Sequence, residues 1–293
     1  MGNNTSITEH KRHYYRELLC IGVPIIIGQL GTIILGFADT LMIGHHSTEE
    51  LAAAGLVNNI ITFILVSYMG FSYGLTPIIG KLYGMEKTDE IGQKVKNSFF
   101  ANMVVGVIFS LALIILYFNL HRIGQPEELL TLIRPYFIVN LISVLFVGVF
   151  NTLKQFLDGI GNTKVAMWVM IMGNIVNIFG NWVLIYGVGP CPEMGLLGAG
   201  ISTLASRVLM AVAMVGIIAV TKEYREYRNN IIASHINGAD FREMNRLGWP
   251  VALQLALESG AFTLSCVMVG WLGTIPLAAH QVMITISQLF YLV

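Results

Sequence analysis

Several stretches of more than 20 residues in this chain carry one charged side chain or none, among them 51–80 and 195–220. That is the length needed to cross about 30 Å of hydrocarbon as a helix. The chain is 55% apolar and 12% charged, against roughly 25% charged in an ordinary soluble domain. A water-soluble core cannot absorb so much apolar surface, so the fold class expected is an all-α polytopic membrane protein. Apolar windows and their charged breaks predict eight helices, at about 17–43, 51–80, 95–119, 131–155, 163–187, 195–220, 245–272 and 276 to the end.

Charge is distributed by side. With the N-terminus cytoplasmic, the inner segments hold 14 of the 17 Lys and Arg residues: Lys11, Arg12 and Arg16; Lys81, Lys87, Lys94 and Lys96; Lys154 and Lys164; and Lys222, Arg225, Arg228, Arg242 and Arg246. Only Arg122 and Arg134 fall in outer loops, as the positive-inside rule requires. Net charge is zero, so nothing points to nucleic acid. Cys20, Cys191 and Cys266 form no CxxC or zinc spacing. The first apolar run follows a polar segment and contains Pro24 and Asp39, which argues against a cleaved leader.

A repeat appears at a constant offset of 226. Gly22 and Pro24 fall on Gly248 and Pro250, Met42 and Gly44 on Met268 and Gly270, and Leu51, Ala52 and Ala53 on Leu277, Ala278 and Ala279. Six helices between the copies return the chain to the same side, so the repeat is parallel, with its pseudo-axis along the membrane normal. The expected division is a six-helix lobe at 1–221, a cytoplasmic linker at 222–244, and the first two helices of a second lobe at 245–293. On this reading the chain is a truncated molecule that does not transport by itself.

Two acids lie at membrane depth. Asp39 is the only acid between Glu17 and Glu49; an ionised carboxylate there costs several kcal/mol unless it faces a hydrated cavity or binds a cation. Asn174, Asn177 and Asn181, at i, i+3 and i+7, place three amides on one stripe of the fifth helix, and Ser202, Thr203 and Ser206 cluster on the sixth. Hard oxygen ligands of this kind suit a weakly held alkali cation or a proton relay, and they suit interhelical hydrogen bonding equally. Glu258 follows Pro250 and Gln254 at spacing 0, 4, 8, on one face of the seventh helix. Arg207, near the middle of the sixth, must pair with an acid, a carbonyl or water. The pair His45 and His46 lacks acidic neighbours at ligand spacing and, with His280, is read as non-catalytic. Pro24 and Pro250 each remove a helical hydrogen bond and mark candidate hinges.

These motifs together resemble the multidrug and toxic compound extrusion family. They are VPIIIGQL followed by Asp39, LAAAGL, FLDGIGNTK, NIFGNWVLIYG, GLLGAGISTLASR, PVALQLALE and LAAHQVMITIS, which span nearly the whole chain in order. The resemblance implies two six-helix lobes that rock between inward-open and outward-open states. It also implies export of small organic, cationic or amphiphilic compounds in antiport with H⁺ or Na⁺, with no cofactor. Asp39, Asn177, Asn181 and Thr203 then match the family's cation-coupling set, with Na⁺ as the metal it could hold. Glu258 matches a seventh-helix acid used by some members, and Tyr136, in RPYFI, matches a tyrosine bordering the cavity that Asn174 and Gln254 would also line. Asn181 stands where some members carry a second Asp, which leaves one carboxylate in this lobe. The expected setting is the inner membrane, as a monomer surrounded by lipid. The alternatives are a flippase for lipid-linked saccharides, for which only Arg207 offers intramembrane positive charge, and a non-transporting scaffold. An enzyme is not expected, since no nucleophile or metal constellation stands at motif spacing.

Overall fold

The computed structural model describes residues 3–123 and 127–291. Ten α-helices account for nearly all of them: α1 (Asn3–His46), α2 (Thr48–Tyr73), α3 (Leu75–Gly84), α4 (Thr88–Phe118), α5 (Glu127–Gly159), α6 (Thr163–Tyr186), α7 (Gly195–Val220), α8 (Arg225–Ala233), α9 (Gly238–Gly270) and α10 (Thr274–Tyr291). Seven spans among the described residues are long and apolar enough to cross a membrane. The expected eighth, α10, is a helix of 18 residues, at the short limit for crossing. The side chains of Lys11, Arg12 and Arg16 lie outside the described residues, as do Leu292 and Val293.

Two boundaries differ from expectation, for local reasons. The second apolar stretch breaks at Gly74 into α2 and α3, which together still form one 37-residue span. The stretch expected as a linker is largely helical, because Asn237 caps α9 by accepting from the Ala239 amide at 3.0 Å. That cap starts α9 about two turns before its apolar run. Ser47 does the same for α2, accepting from the amides of Glu49 and Glu50.

Surface and interior are inverted relative to a soluble protein. Ile115, Phe179 and Leu257 are 62–71% exposed, whereas Asn102, Asn177 and Asn181 are at most 1% exposed. Apolar outer faces suit lipid, and the buried amides must therefore find partners inside the bundle. The most enclosed element is α2, which packs against α1, α4, α5, α9 and α10. Its contact with α9 is a backbone approach: a Cβ on Gly74 would come within 2.9 Å of the Gly248 nitrogen, and one on Gly248 within 2.6 Å of the Phe71 carbonyl. Further along α2, the Tyr68 hydroxyl donates to the Asn102 carbonyl at 2.8 Å, and a Cβ on Gly148 of α5 would overlap that ring and hydroxyl.

The sequence repeat has a geometric counterpart. Thr40 on α1 meets Thr285 on α10 at 3.1 Å, and Asn59 on α2 meets Cys266 on α9 at 3.3 Å. The offset of 226 carries Thr40 onto Cys266 and Asn59 onto Thr285, so the two contacts are images of one another. Gly55 and Gln281, which are also related by the offset, touch each other directly. Such reciprocity is what a two-fold axis between α2 and α10 produces.

At the lysine-rich end, a polar clasp ties α4 to the start of α9. Lys94 bonds Asp240 at 2.7 Å and also Glu243; Gln93 donates to Asp240 at 2.7 Å, and the Asn97 side-chain oxygen Oδ1 accepts from the Asn237 backbone amide at 2.6 Å. Asp240 is buried while Glu243 is open to water, so Asp240 is the stronger member. Its replacement by Ala should cost about 1–3 kcal/mol and speed limited proteolysis between α8 and α9; an unchanged cleavage rate would contradict the clasp. Gly148→Ala should lower the melting midpoint in detergent through overpacking of roughly 1–3 kcal/mol. Gly216→Ala, where nothing lies within 4 Å of the added carbon, should not.

Candidate functional site

Asp39 sits on α1 two turns before its end at His46, on the face that packs against α6. Asn181, which is fully buried, donates from Nδ2 to Asp39 Oδ1 at 2.6 Å and to Asn177 Oδ1 at 3.1 Å. Asn177 in turn bonds Thr203 Oγ1 at 3.2 Å, and its carbonyl accepts from Ser202 at 2.8 Å. Rotating the Asn177 amide instead lets its nitrogen donate to Asp39 Oδ1 at 3.2 Å and its oxygen accept from Thr203, in exchange for the bond from Asn181. The helical spacing of these residues is what aligns them. One stripe of α6 faces α1 and α7 at once, and Gly180 admits Ser202 because a Cβ there would overlap the hydroxyl. Asp39, Asn177, Asn181 and Thr203 therefore do meet in one cluster, and their oxygens are the atoms available to a small cation. Asn181 Oδ1 is buried without a partner.

Two further residues complete the surroundings. Arg207 lies one turn along α7 from Thr203, donates to Ser143 Oγ of α5 at 2.5 Å, and stands within electrostatic range of Asp39 and Tyr136. It is not ion-paired with Asp39. The Tyr136 ring packs against Gly200 of α7, and its hydroxyl donates to Asn58 of α2 at 2.8 Å. Asn58 and Ser143 escaped the sequence reading, although an amide inside LVNNII and a hydroxyl inside VNLIS are polar groups at membrane depth of the same kind as those singled out.

The structure separates the remaining candidates. Asn174 lies on the same stripe of α6 but faces Gly31 of α1, and its Nδ2 is buried without a partner. Glu258 lines a cavity of about 500 Å³ between α2, α9 and α10 together with Asn59, Thr62, Thr263 and His280. Gln254, one turn away on α9, is exposed and does not line it. Asp39 and Glu258 thus belong to two different sites. Pro24 is buried within the continuous helix α1, and one turn before it the Ile21 carbonyl accepts from Thr163 at 3.1 Å. Pro250 lies inside the continuous helix α9 and is exposed.

One expectation needs correction. His46 does have acidic partners: Nδ1 bonds Glu50 at 2.8 Å and Nε2 bonds Glu193 at 2.9 Å. Glu50 is four residues away on the adjoining helix, and Glu193 arrives from the α6–α7 loop, a proximity that spacing along one helix does not reveal. Among the described residues no group of three His, Cys, Asp or Glu side chains is arranged to hold a metal ion.

The chain is 30% identical over 276 residues to a probable multidrug resistance protein NorM of Photorhabdus laumondii, which covers 94% of this chain and 60% of the relative. The fold matches the crystal structure of a eukaryotic MATE transporter, AtDTX14, with a TM-score of 0.76 at 17% identity, over 87% of this chain and 56% of that one. It also matches a MOP superfamily transporter from Pyrococcus furiosus with a TM-score of 0.71 at 21% identity, over 90% and 62%. The chain thus spans about 60% of the length of that curated relative. Residues 24–183, which hold Asp39, Tyr136, Asn177 and Asn181, match the MatE family model, and the chain belongs to that family of multi-pass membrane transport proteins.

Proposed function

We propose that this chain supplies the first lobe, and the start of the second, of a secondary transporter. The transporter exports small organic, cationic or amphiphilic compounds in exchange for H⁺ or Na⁺. The proposed division is a lobe at 1–221, a linker at 222–244 and second-lobe helices at 245–293, with the N-terminus and linker cytoplasmic. The observation that carries the reading is the Asp39 cluster: one carboxylate at membrane depth, held by Asn181 and adjoined by Asn177 and Thr203. A scaffold has no need of such a group, because a neutral side chain would pack there without the cost of a buried charge.

The mechanism proposed is antiport by competition. Outward-bound compound binds while Asp39 is charged, in a state of the lobe that opens a space beside Tyr136 and Asn174, both of which are packed against neighbouring helices in this structure. An ion arriving from the outer side then neutralises Asp39, and the amides of Asn177 and Asn181 must rearrange around the altered carboxyl group. Because Asn177 also bonds α7, that rearrangement reaches a second helix directly. Bends at Pro24 and Pro250 would let α1 and α9 follow, since each proline removes one backbone hydrogen bond from its helix. Glu258, in its separate cavity, is proposed as a second coupling acid. The relative named as a multidrug resistance protein supports the compound class. A saccharide flippase is less well supported, since a lone Arg207 offers little to a pyrophosphate.

The test is drug accumulation in cells expressing a complete transporter that contains this lobe. Asp39→Asn should raise accumulation of ethidium or norfloxacin by about tenfold or more, the scale of losing one buried charge-assisted bond. Efflux equal to that of the unaltered protein would defeat the proposal. Imposing Na⁺ and pH gradients separately, in the same cells and with Glu258→Gln alongside, assigns each acid to its ion; if Glu258→Gln leaves both responses intact, Glu258 has no coupling role.

A further inference from the structure

His46 ends α1 with both ring nitrogens engaged, Nδ1 at 2.8 Å from Glu50 on α2 and Nε2 at 2.9 Å from Glu193 in the α6–α7 loop. Ionised carboxylates only accept hydrogen bonds, and a neutral imidazole carries a single N–H. Both contacts are therefore made at once only by the doubly protonated ring. A neutral ring keeps one partner and turns a lone pair toward the other.

The surroundings decide which partner is lost. Glu50 is 13% exposed and is fitted into the bundle: Gly195 of α7, at φ +53°, leaves room for its carboxylate where a Cβ would overlap it. Glu193 is 65% exposed and can exchange the ring for water at little cost. Loss of the ring proton thus releases the loop and leaves α2 in place. Among the described residues, Glu50 and Glu193 are the charged groups that act on the ring. The other titratable neighbours are Tyr186 of α6, with its ring centroid 6.3 Å away, and His45, which leans on the same tyrosine at 6.4 Å.

The loop so held lies close to the buried carboxylate. His46 follows Asp39 by seven residues, on the same face of α1 two turns later and about 10 Å along the axis. Tyr186, five residues beyond Asn181, donates to the Met42 carbonyl at 2.9 Å, between the two levels. The contact of Glu193 with His46 therefore closes the end of the α1–α6–α7 packing nearest Asp39.

We propose that His46, Glu50 and Glu193 form a proton-operated latch that pins the α6–α7 loop over the Asp39 end of the lobe. The latched form holds one more proton than the released form. Its stability is present at low pH and is lost as pH rises, the released-to-latched ratio growing up to about tenfold per pH unit across the titration. With that end facing outward, as in the proposed function, acid outside keeps the lobe closed there. The latch does not depend on Asp39 being the coupling carboxylate.

The loop carries its own probe position, Cys191, which is partly exposed, whereas Cys266 is buried. A nitroxide on Cys191 of the purified chain, with the exposed Cys20 changed to Ser, reports loop mobility by electron paramagnetic resonance. From roughly pH 5 to pH 9 the mobile-to-immobile ratio should rise about tenfold or more. His46→Ala should be mobile at every pH. Glu193→Gln should be immobile at every pH, because an amide can accept from a protonated nitrogen and donate to a bare one; this variant reads the latch even if His46→Ala does not fold. Asp39→Asn should titrate like the unaltered chain, which separates the latch from any coupling role of Asp39. Unchanged mobility of the unaltered loop over this range overturns the proposal. A response that survives His46→Ala, persists in Glu193→Gln or vanishes in folded Asp39→Asn overturns it as well.

Discussion

Hydrocarbon offers no partner to a hydrogen-bonding group, and that denial organises this molecule from the backbone to the site. Main-chain amides are satisfied within helices, which is why helix dominates the described residues. Side chains that cannot satisfy themselves must be satisfied by neighbours. Asp39 finds Asn181, Asn181 finds Asn177, and Asn177 finds Thr203 and Ser202. Each link crosses or follows a helix contact, so one carboxylate in α1 commits the placement of α6 and α7. Bonds to a charged group contribute about 1.5–3 kcal/mol each where water cannot compete, which is several times a surface ion pair. The same network that positions these helices is therefore the one most sensitive to the charge on Asp39.

Much of this was legible in the residues. Span positions follow from apolar length, and the Asn174–Asn177–Asn181 stripe follows from helical periodicity, so the meeting of Asp39 with α6 and α7 could be anticipated. What could not be read is which amide atom faces the acid, because both ends of Asn181 are polar and only packing chooses between them. The partner of Arg207 was hidden for a related reason: Ser143 lies on a different helix, 64 positions away in the chain. Of the two acidic partners of His46, Glu50 stands four residues on in the sequence, whereas Glu193 reaches it across the α6–α7 loop, a contact that only the fold reveals. Gln254 and Glu258 share a face of α9, as their spacing required, yet only Glu258 enters the cavity, since the width of a helix face exceeds that of an opening.

Separation of the two acids bears on how a lobe of this kind is coupled. Asp39 is enclosed by α1, α6 and α7, whereas Glu258 looks into a space bounded by α2, α9 and α10. α2 lies between the two sites, packing against α1 on one side and against α9 and α10 on the other. That helix is held to α9 by the close backbone approach at Gly74 and Gly248, where even a methyl group would force a shift. A contact with so little slack transmits displacement as a rigid body and does not absorb it.

The contacts about the axis between α2 and α10 carry an implication for how the protein can vary. Thr40 with Thr285 and Asn59 with Cys266 are one contact made twice, by non-identical residues, while Gly55 and Gln281 share the axis itself. A surface that meets its own image is the geometry by which two copies of a single short chain would pair. After such copies are joined, each is free to drift only so far as its counterpart compensates. A bulkier residue at position 55 calls for a smaller one at 281, so the two positions inherit a mutual size constraint long after their sequences have ceased to look alike.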